Sequence, residues 1–270
     1  MHPKPLSSRR APAWHRQPWF ELLQFVLLAG VLAVIALHGA QGMGYQWKWD
    51  KVPRYLVRIV DGELVWGPLM QGLFVTLDIS WKAGLLAGVF GLLVALLRLS
   101  HSVVGPALAW MYVELIRNTP ILVQMLITYF IIAAILDIPR DWAGILCLAL
   151  YEGAFVAEIV RGGILAVPRG QREAGASLGL SGLDLYRDII LPQAVPLMLP
   201  PLGSVLVNLV KHSAIVSVIA VYDLTTQART IISDTFMAFE IWLTTAALYL
   251  AITITLSLCV AWLERRHRRA

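Results

Sequence analysis

The chain has 270 residues, of which 58% are hydrophobic and 14% charged, and its mean hydropathy of +0.70 lies outside the usage of soluble globular domains. A net charge of +5 does not argue for nucleic acid, because Lys and Arg collect at the ends of apolar stretches, where membrane topology explains them. Cys147 and Cys259 both fall inside apolar runs without metal or disulfide spacing, so redox chemistry and a bound metal are not expected.

A basic leader, residues 1–18, carries Lys4, Arg9, Arg10 and Arg16 and no acid. The apolar run from Trp19 to Leu37 behind it is too long for the core of a typical signal peptide, and it reads as a retained helix. Next comes "YQWKWDKVPRYLVRIVDGELVW", whose Trp47, Trp49 and Trp66 suit the headgroup level; we read it as an external loop, so that residues 19–67 form an N-terminal helix and loop ahead of a core at 68–265. Further spans are expected at Leu69–Leu97, Ala107–Leu136, Trp142–Val160, Val195–Val221 and Phe236–Leu263, with kinks or tilt at Pro120, Pro196, Pro200 and Pro201. The expected fold is therefore all-α, with about six transmembrane helices, and the basic tail at 266–270 follows the last. With the N-terminus inside, thirteen Lys and Arg lie on inner segments against six on outer ones, so both termini are expected in the cytoplasm.

One stretch between two spans is studded with polar residues: "GQREAGASLGLSGLDLYRDIILP", residues 170–192. Gln171 to Leu178 reads as a short helix with Gly179 as its stop, and Ser181 to Asp184 as a capping box opening a second helix that Pro192 ends. Leu185 with Ile189, and Tyr186 with Ile190, are four apart and form one apolar side. A cytoplasmic hairpin of this kind either lies on the lipid surface or docks in a partner's groove.

These residues carry a resemblance. Glu173-Ala174-Gly175, three residues, Gly179, nine residues and Ile189-Ile190-Leu191-Pro192 resemble the EAA motif of membrane subunits of bacterial ABC importers, Gly175 standing where Ala is usual. The blocks "GLFVTLDIS", "YVELIRNTPILVQ", "GAFVAEIVRGGILAVPRGQREA" and "LPQAVPLMLPPLGSVLVNLVKHSAIVS" are similar to the polar amino acid branch of those permeases, and the likeness extends over residues 68–265. The resemblance implies a subunit of the bacterial inner membrane that pairs with an identical or sister permease. It also implies a cytoplasmic ATPase dimer and an external amino-acid-binding protein as partners. Gly170, Gln171, Glu173, Ala174, Gly175, Gly179, Leu191 and Pro192 would then form the element gripped by the ATPase. The chain contains no G-x-x-x-x-G-K-[ST] loop, so ATP and Mg are expected on the partner and no cofactor in this chain.

Ionisable residues within spans are functional candidates. Glu152, near the middle of its span, is a candidate to meet a substrate ammonium, or else is satisfied by Lys211, His212 or a neighbouring helix. Lys211 matches the family's K-[D/N]-[S/T]-S-L block, from which His212 and Ala214 depart, and it can meet a substrate carboxylate or pair with Glu152. Arg117 and Pro120 match the family's R-x-T-P block and suggest a kink near the translocation path. The pairs Asp78 with Lys82, Glu114 with Arg117 and Glu158 with Arg161 have the spacing to neutralise one another on one helix face. Gly84-x-x-x-Gly88 suits a close helix contact.

Two patterns mislead. "GASLG" fits the serine-hydrolase elbow around Ser177 but sits in a helix and turn instead of after a strand, and the six histidines form no metal pair. The alternative of a secondary transporter driven by an ion gradient predicts inverted repeats, which these spans do not display.

Overall fold

In a bilayer the backbone must satisfy its own hydrogen bonds, and this chain does so with helices. The structure, a computed structural model, describes residues 18–42 and 44–267; the leader up to residue 17 and the last three residues of the tail lie outside the described residues. The chain divides between Trp47 and Lys48 into two compact units. The first holds the apolar helix α1 (Pro18–Gly42).

The second unit opens with a 3-10 turn at Trp49–Lys51, a short helix at Pro53–Leu56 and an antiparallel hairpin, β1 (Val57–Val60) and β2 (Glu63–Trp66), in a segment expected to be loop. Asp61 and Gly62 both have positive φ, 52° and 81°, the arrangement of a two-residue turn whose twist matches the strands. An Asp-Gly pair between the apolar runs Ile59-Val60 and Leu64-Val65 carried that signal in the sequence.

Among the described residues, four helices are long and apolar enough to cross a membrane: α2 (Pro68–Leu99), α5 (Arg140–Ala166), α7 (Gly182–Ile219) and α9 (Ala238–His267). A further apolar pair, α3 (Val104–Arg117) and α4 (Ile121–Leu136), is bent by 107° at Asn118–Pro120. The single span expected at 107–136 is thus a broken one. Pro120 has no N–H to continue the ladder, and it disfavours helical geometry at Thr119. Gln124 closes the corner by donating to the carbonyl oxygens of Ile116 and Thr119.

Pro192 does not end the second hairpin helix, contrary to the reading above. Helical structure runs from Gly182 through a wide π turn at Leu185–Ile190 into the span, with Pro192 in the first turn of the α-helical part. The looser turn accommodates a residue that lacks its N–H and crowds the preceding turn.

The core is built on the contact of α2 with α5. Ala83, Ala87, Gly91 and Ala95 recur every four residues along α2, and all are buried. A Cβ on Gly91 would lie 2.5 Å from the Val156 side chain and 2.8 Å from the Gly153 carbonyl oxygen, so the backbones are closer there than any larger residue allows. The small-residue stripe of α2 is therefore this one. At Gly88, in the Gly84-x-x-x-Gly88 spacing singled out above, an added Cβ would meet nothing within 4 Å.

A further helix, α8 (Leu224–Thr235), stands where hydropathy leaves a loop ahead of the last span. Asp223 caps it, accepting from the N–H groups of Thr225 and Thr226 at 3.2 and 2.9 Å, and the Leu224 N–H donates to Thr76 Oγ1 on α2.

Candidate functional site

The motif at 170–192 folds between α5 and α7. Helix α6 (Arg169–Ser177) ends at Gly179, whose φ is +77°. The N–H of Leu180 bonds the carbonyl of Gly175, and the N–H of Gly179 bonds that of Ala176, the Schellman closure that requires a left-handed residue. Ser181 then opens α7 as its N-cap, its hydroxyl accepting from the Asp184 N–H and donating to Asp184 Oδ2 at 2.5 Å in place of the reciprocal backbone bond of a capping box.

Gly175 is buried, and a Cβ there would approach Leu185 Cδ1 at 2.5 Å and Ile189 Cδ1 at 2.7 Å. Its departure from the usual Ala lets α6 settle onto α7. The greasy side seen in the sequence turns inward: Leu185 and Tyr186 pack with Ile190 against Ile164, Val167, Ala194 and Met198. It is therefore not the surface offered to lipid or partner, because it closes the element onto the spans. Arg172 ties α6 to the end of α5 by donating to the Ile164 carbonyl at 2.5 Å.

What the element presents instead is a ridge containing Gly170, Gln171, Glu173 and Ala174 with Leu178 (80% exposed) and Leu183 (78%). The side chain of Glu173 makes no hydrogen bond or ion pair among the described residues; only its carbonyl is used, by the Ser177 hydroxyl. Leu191 and Pro192 lie beyond the turn, on the exposed side at the base of the span.

The second cluster lies within the spans. Glu152, 2% exposed, meets His212 of α7, with Oε1 and Nδ1 2.6 Å apart. The alternative of a Glu152–Lys211 pair is not what forms. Lys211 points into a groove between α7 and α9 with Asn208, Ser257 and Glu264, and its ammonium has no partner among the described residues. Tyr151 meets the His212 ring edge-on at 5.6 Å and Phe155 at 5.3 Å, and the Arg117 guanidinium lies 5.4 Å from the Phe155 centroid. Glu152, His212 and Arg117 are thus joined through two aromatic rings on α5, while Pro120 sits just beyond Arg117 at the break.

Arg117 does not pair with Glu114, whose carboxylate instead accepts from Asn118 at 2.8 Å. Its nearest carboxylate is Glu158, 4.0 Å away, and Glu158 also bonds Arg98 of α2 and Arg161, the latter at 3.2 Å. Of these three contacts, only Glu158 with Arg161 has a spacing that local sequence announces. Arg98 and Arg117 each stand in the last turn of a helix, and nothing local to either marks Glu158 as a shared carboxylate. Asp78 and Lys82 do pair, at 2.5 Å, on an exposed face where such a bond contributes within about 0.5 kcal/mol.

Comparisons with known proteins agree with this architecture. Residues 87–269 match the family described as binding-protein-dependent transport system inner membrane component. The chain is 41% identical over 202 residues to the glutamine transport system permease protein GlnP of Escherichia coli, covering 73% of this chain and 92% of that one. It is 41% identical over 201 residues, with the same coverage, to the probable glutamine ABC transporter permease protein GlnM of Bacillus subtilis. A chain from the crystal structure of an amino acid ABC transporter with histidines superposes with a TM-score of 0.69 at 40% identity, over 74% of this chain and 94% of that one. A multi-pass protein of the inner membrane and a transport subunit, not an enzyme, the chain belongs to the binding-protein-dependent transport system inner membrane components.

Proposed function

We propose that this chain is the permease subunit through which a polar amino acid, delivered by an external binding protein, crosses the inner membrane, driven by a separate ATPase. The observation that carries this reading is the element at 169–192. Its apolar residues and Arg172 fasten it to the spans, and its Glu173–Leu178 ridge is left uncommitted. A rigid lever with a free outer face is what transmission of ATPase closure needs, since motion passed through packed elements is moved as a body. The relatives named for glutamine and amino acids support the substrate class.

In this account both termini and the 169–192 element are cytoplasmic, and ATP with Mg binds the ATPase, two copies of which dock on a pair of permeases, identical or sister. Helix α1 adds a sixth passage. Within the spans the Glu152–His212 pair and the Arg117 side chain border the path, and the unpaired Lys211 receives the substrate carboxylate. No observation favours a gradient-driven carrier.

Reconstitution tests this. The subunit with its ATPase in lipid vesicles is expected to hydrolyse ATP faster when binding protein loaded with a polar amino acid is supplied, and to accumulate that amino acid. Hydrolysis indifferent to loaded binding protein, or uptake that follows an ion gradient without ATP, overturns the proposal.

A further inference from the structure

Helix α8, unread in the hydropathy, walls an open cleft of 670 Å³ together with the last turn of α7 and the start of α9. The cleft is built on a fixed frame. Asp223 caps α8, Thr76 holds its first N–H, Thr225 and Tyr249 hydroxyls meet at 3.0 Å, and Arg140 donates to the Ala220 carbonyl at 2.9 Å. Inside it stand Arg229, Thr230, Ser233 and Asp234 of α8, Ser217 of α7 and Trp242 of α9.

The two charges are the informative residues. Arg229 and Asp234 are five apart, about 7.5 Å along the helix axis, a spacing that does not bring them together on one face. Neither side chain makes an ion pair or hydrogen bond among the described residues. One free cation and one free anion thus line the same concavity, between hydroxyls and an indole, at the end of the spans opposite α6. A ligand carrying a carboxylate and an ammonium on one carbon satisfies both, whereas a singly charged ligand or a phosphate satisfies one and leaves the other exposed to like charge.

We infer that this cleft is an external reception site for an amino acid, in which Arg229 takes the α-carboxylate, Asp234 the α-ammonium, and Thr230, Ser233 and Trp242 accommodate the side chain. The inference rests on the proposed function for its orientation and ligand class, and it adds a binding step distinct from the Glu152–His212 and Lys211 region.

The experiment uses the full permease–ATPase complex in right-side-out vesicles, with Cys147→Ala and Cys259→Ser removing the native thiols and Ser233→Cys as reporter. A membrane-impermeant maleimide is added outside. Free L-glutamine, L-arginine and L-aspartate are tried in turn, against γ-aminobutyramide and glutaramic acid, which lack the carboxylate and the ammonium respectively. At least one amino acid is expected to slow labelling about tenfold at ~10 times its half-protecting concentration, and the two analogues are expected not to. Arg229→Gln or Asp234→Asn is expected to abolish protection while ligand-free labelling persists, which separates lost binding from lost folding.

Labelling from outside that no amino acid slows, or that empty binding protein slows as well as loaded, overturns the inference and leaves the proposed function standing. The second of these outcomes makes the cleft a protein-docking surface. Labelling only from the opposite face overturns this inference and the proposed orientation together.

Discussion

His212 Nδ1 lies 2.6 Å from Glu152 Oε1, so a buried carboxylate in the middle of α5 is held by an imidazole sixty residues away on α7. The bond couples the two spans that flank the 169–192 element, and the imidazole keeps one edge against Tyr151.

A double-mutant cycle measures that coupling. Removal of one partner leaves a buried polar group without its bond, at a cost of about 1–3 kcal/mol. His212→Ala is expected to lower the thermal midpoint of the detergent-solubilised protein. Adding Glu152→Gln is expected to cause clearly less than the sum of the two single losses. Strict additivity in thermal unfolding would show that the pair does not interact.

Glu158 gathers Arg98, Arg117 and Arg161 from three helices. Glu158→Gln takes the anion from three cations and is expected to destabilise by about 2 kcal/mol or more. Arg117→Gln, at 4.0 Å and half exposed, is expected to change stability by less than ~1 kcal/mol. Thermal unfolding of the two variants side by side checks the order; a larger loss for Arg117→Gln would contradict it.

Much of this site was legible and part was not, for physical reasons. Gly179 as stop and Ser181–Asp184 as start could be read because capping is local chemistry. The α7 continuation past Pro192 could not be, since a π turn is permitted by tertiary packing of Leu185 and Ile190 and leaves no local mark. The six apolar stretches were visible; the 107° break was reduced to a kink because Pro120 announces an interruption without its angle. Helix α8 escaped a hydropathy search because half its surface is polar, though Asp223 followed by Thr225 and Thr226 was a readable cap. Which of Lys211 and His212 reaches Glu152 depends on the rotation of α7, and adjacent residues point about 100° apart.

Asp223 gives a pH prediction. Burial raises its carboxyl above the usual Asp value, and the Thr226 and Thr225 donors offset only part of that. A folded-state value above the unfolded one means that the native state favours the protonated acid. Stability is therefore lost as pH rises from the unfolded value through the folded value, and the full cost is present above it. Asp223→Asn keeps an accepting oxygen for the cap and removes the charge. Relative to the parent it is expected to gain stability from acid to neutral pH, whereas Asp223→Ala loses about 1 kcal/mol of capping. Thermal midpoints across that range check both; a parent–Asn difference independent of pH would refute the first.

The α2–α5 contact separates two glycines three residues apart. Gly91→Ala forces the Val156 side chain and the Gly153 carbonyl away and is expected to cost about 1–3 kcal/mol. Gly88→Ala meets open space and is expected to be neutral or slightly stabilising, since Ala favours the helix. Expression and thermal stability of the two variants decide this; equal sensitivity would return the close contact to the Gly84–Gly88 spacing.

The central claim is that the exposed ridge of α6 is where the ATPase grips this subunit, and co-purification with the native ATPase tests it most directly. Glu173→Lys reverses a charge that the fold itself does not use, so the variant is expected to retain the parent's thermal midpoint and lose the ATPase during purification. An ATPase complex of undiminished yield with Glu173→Lys, and with Leu178→Asp beside it, would contradict the account.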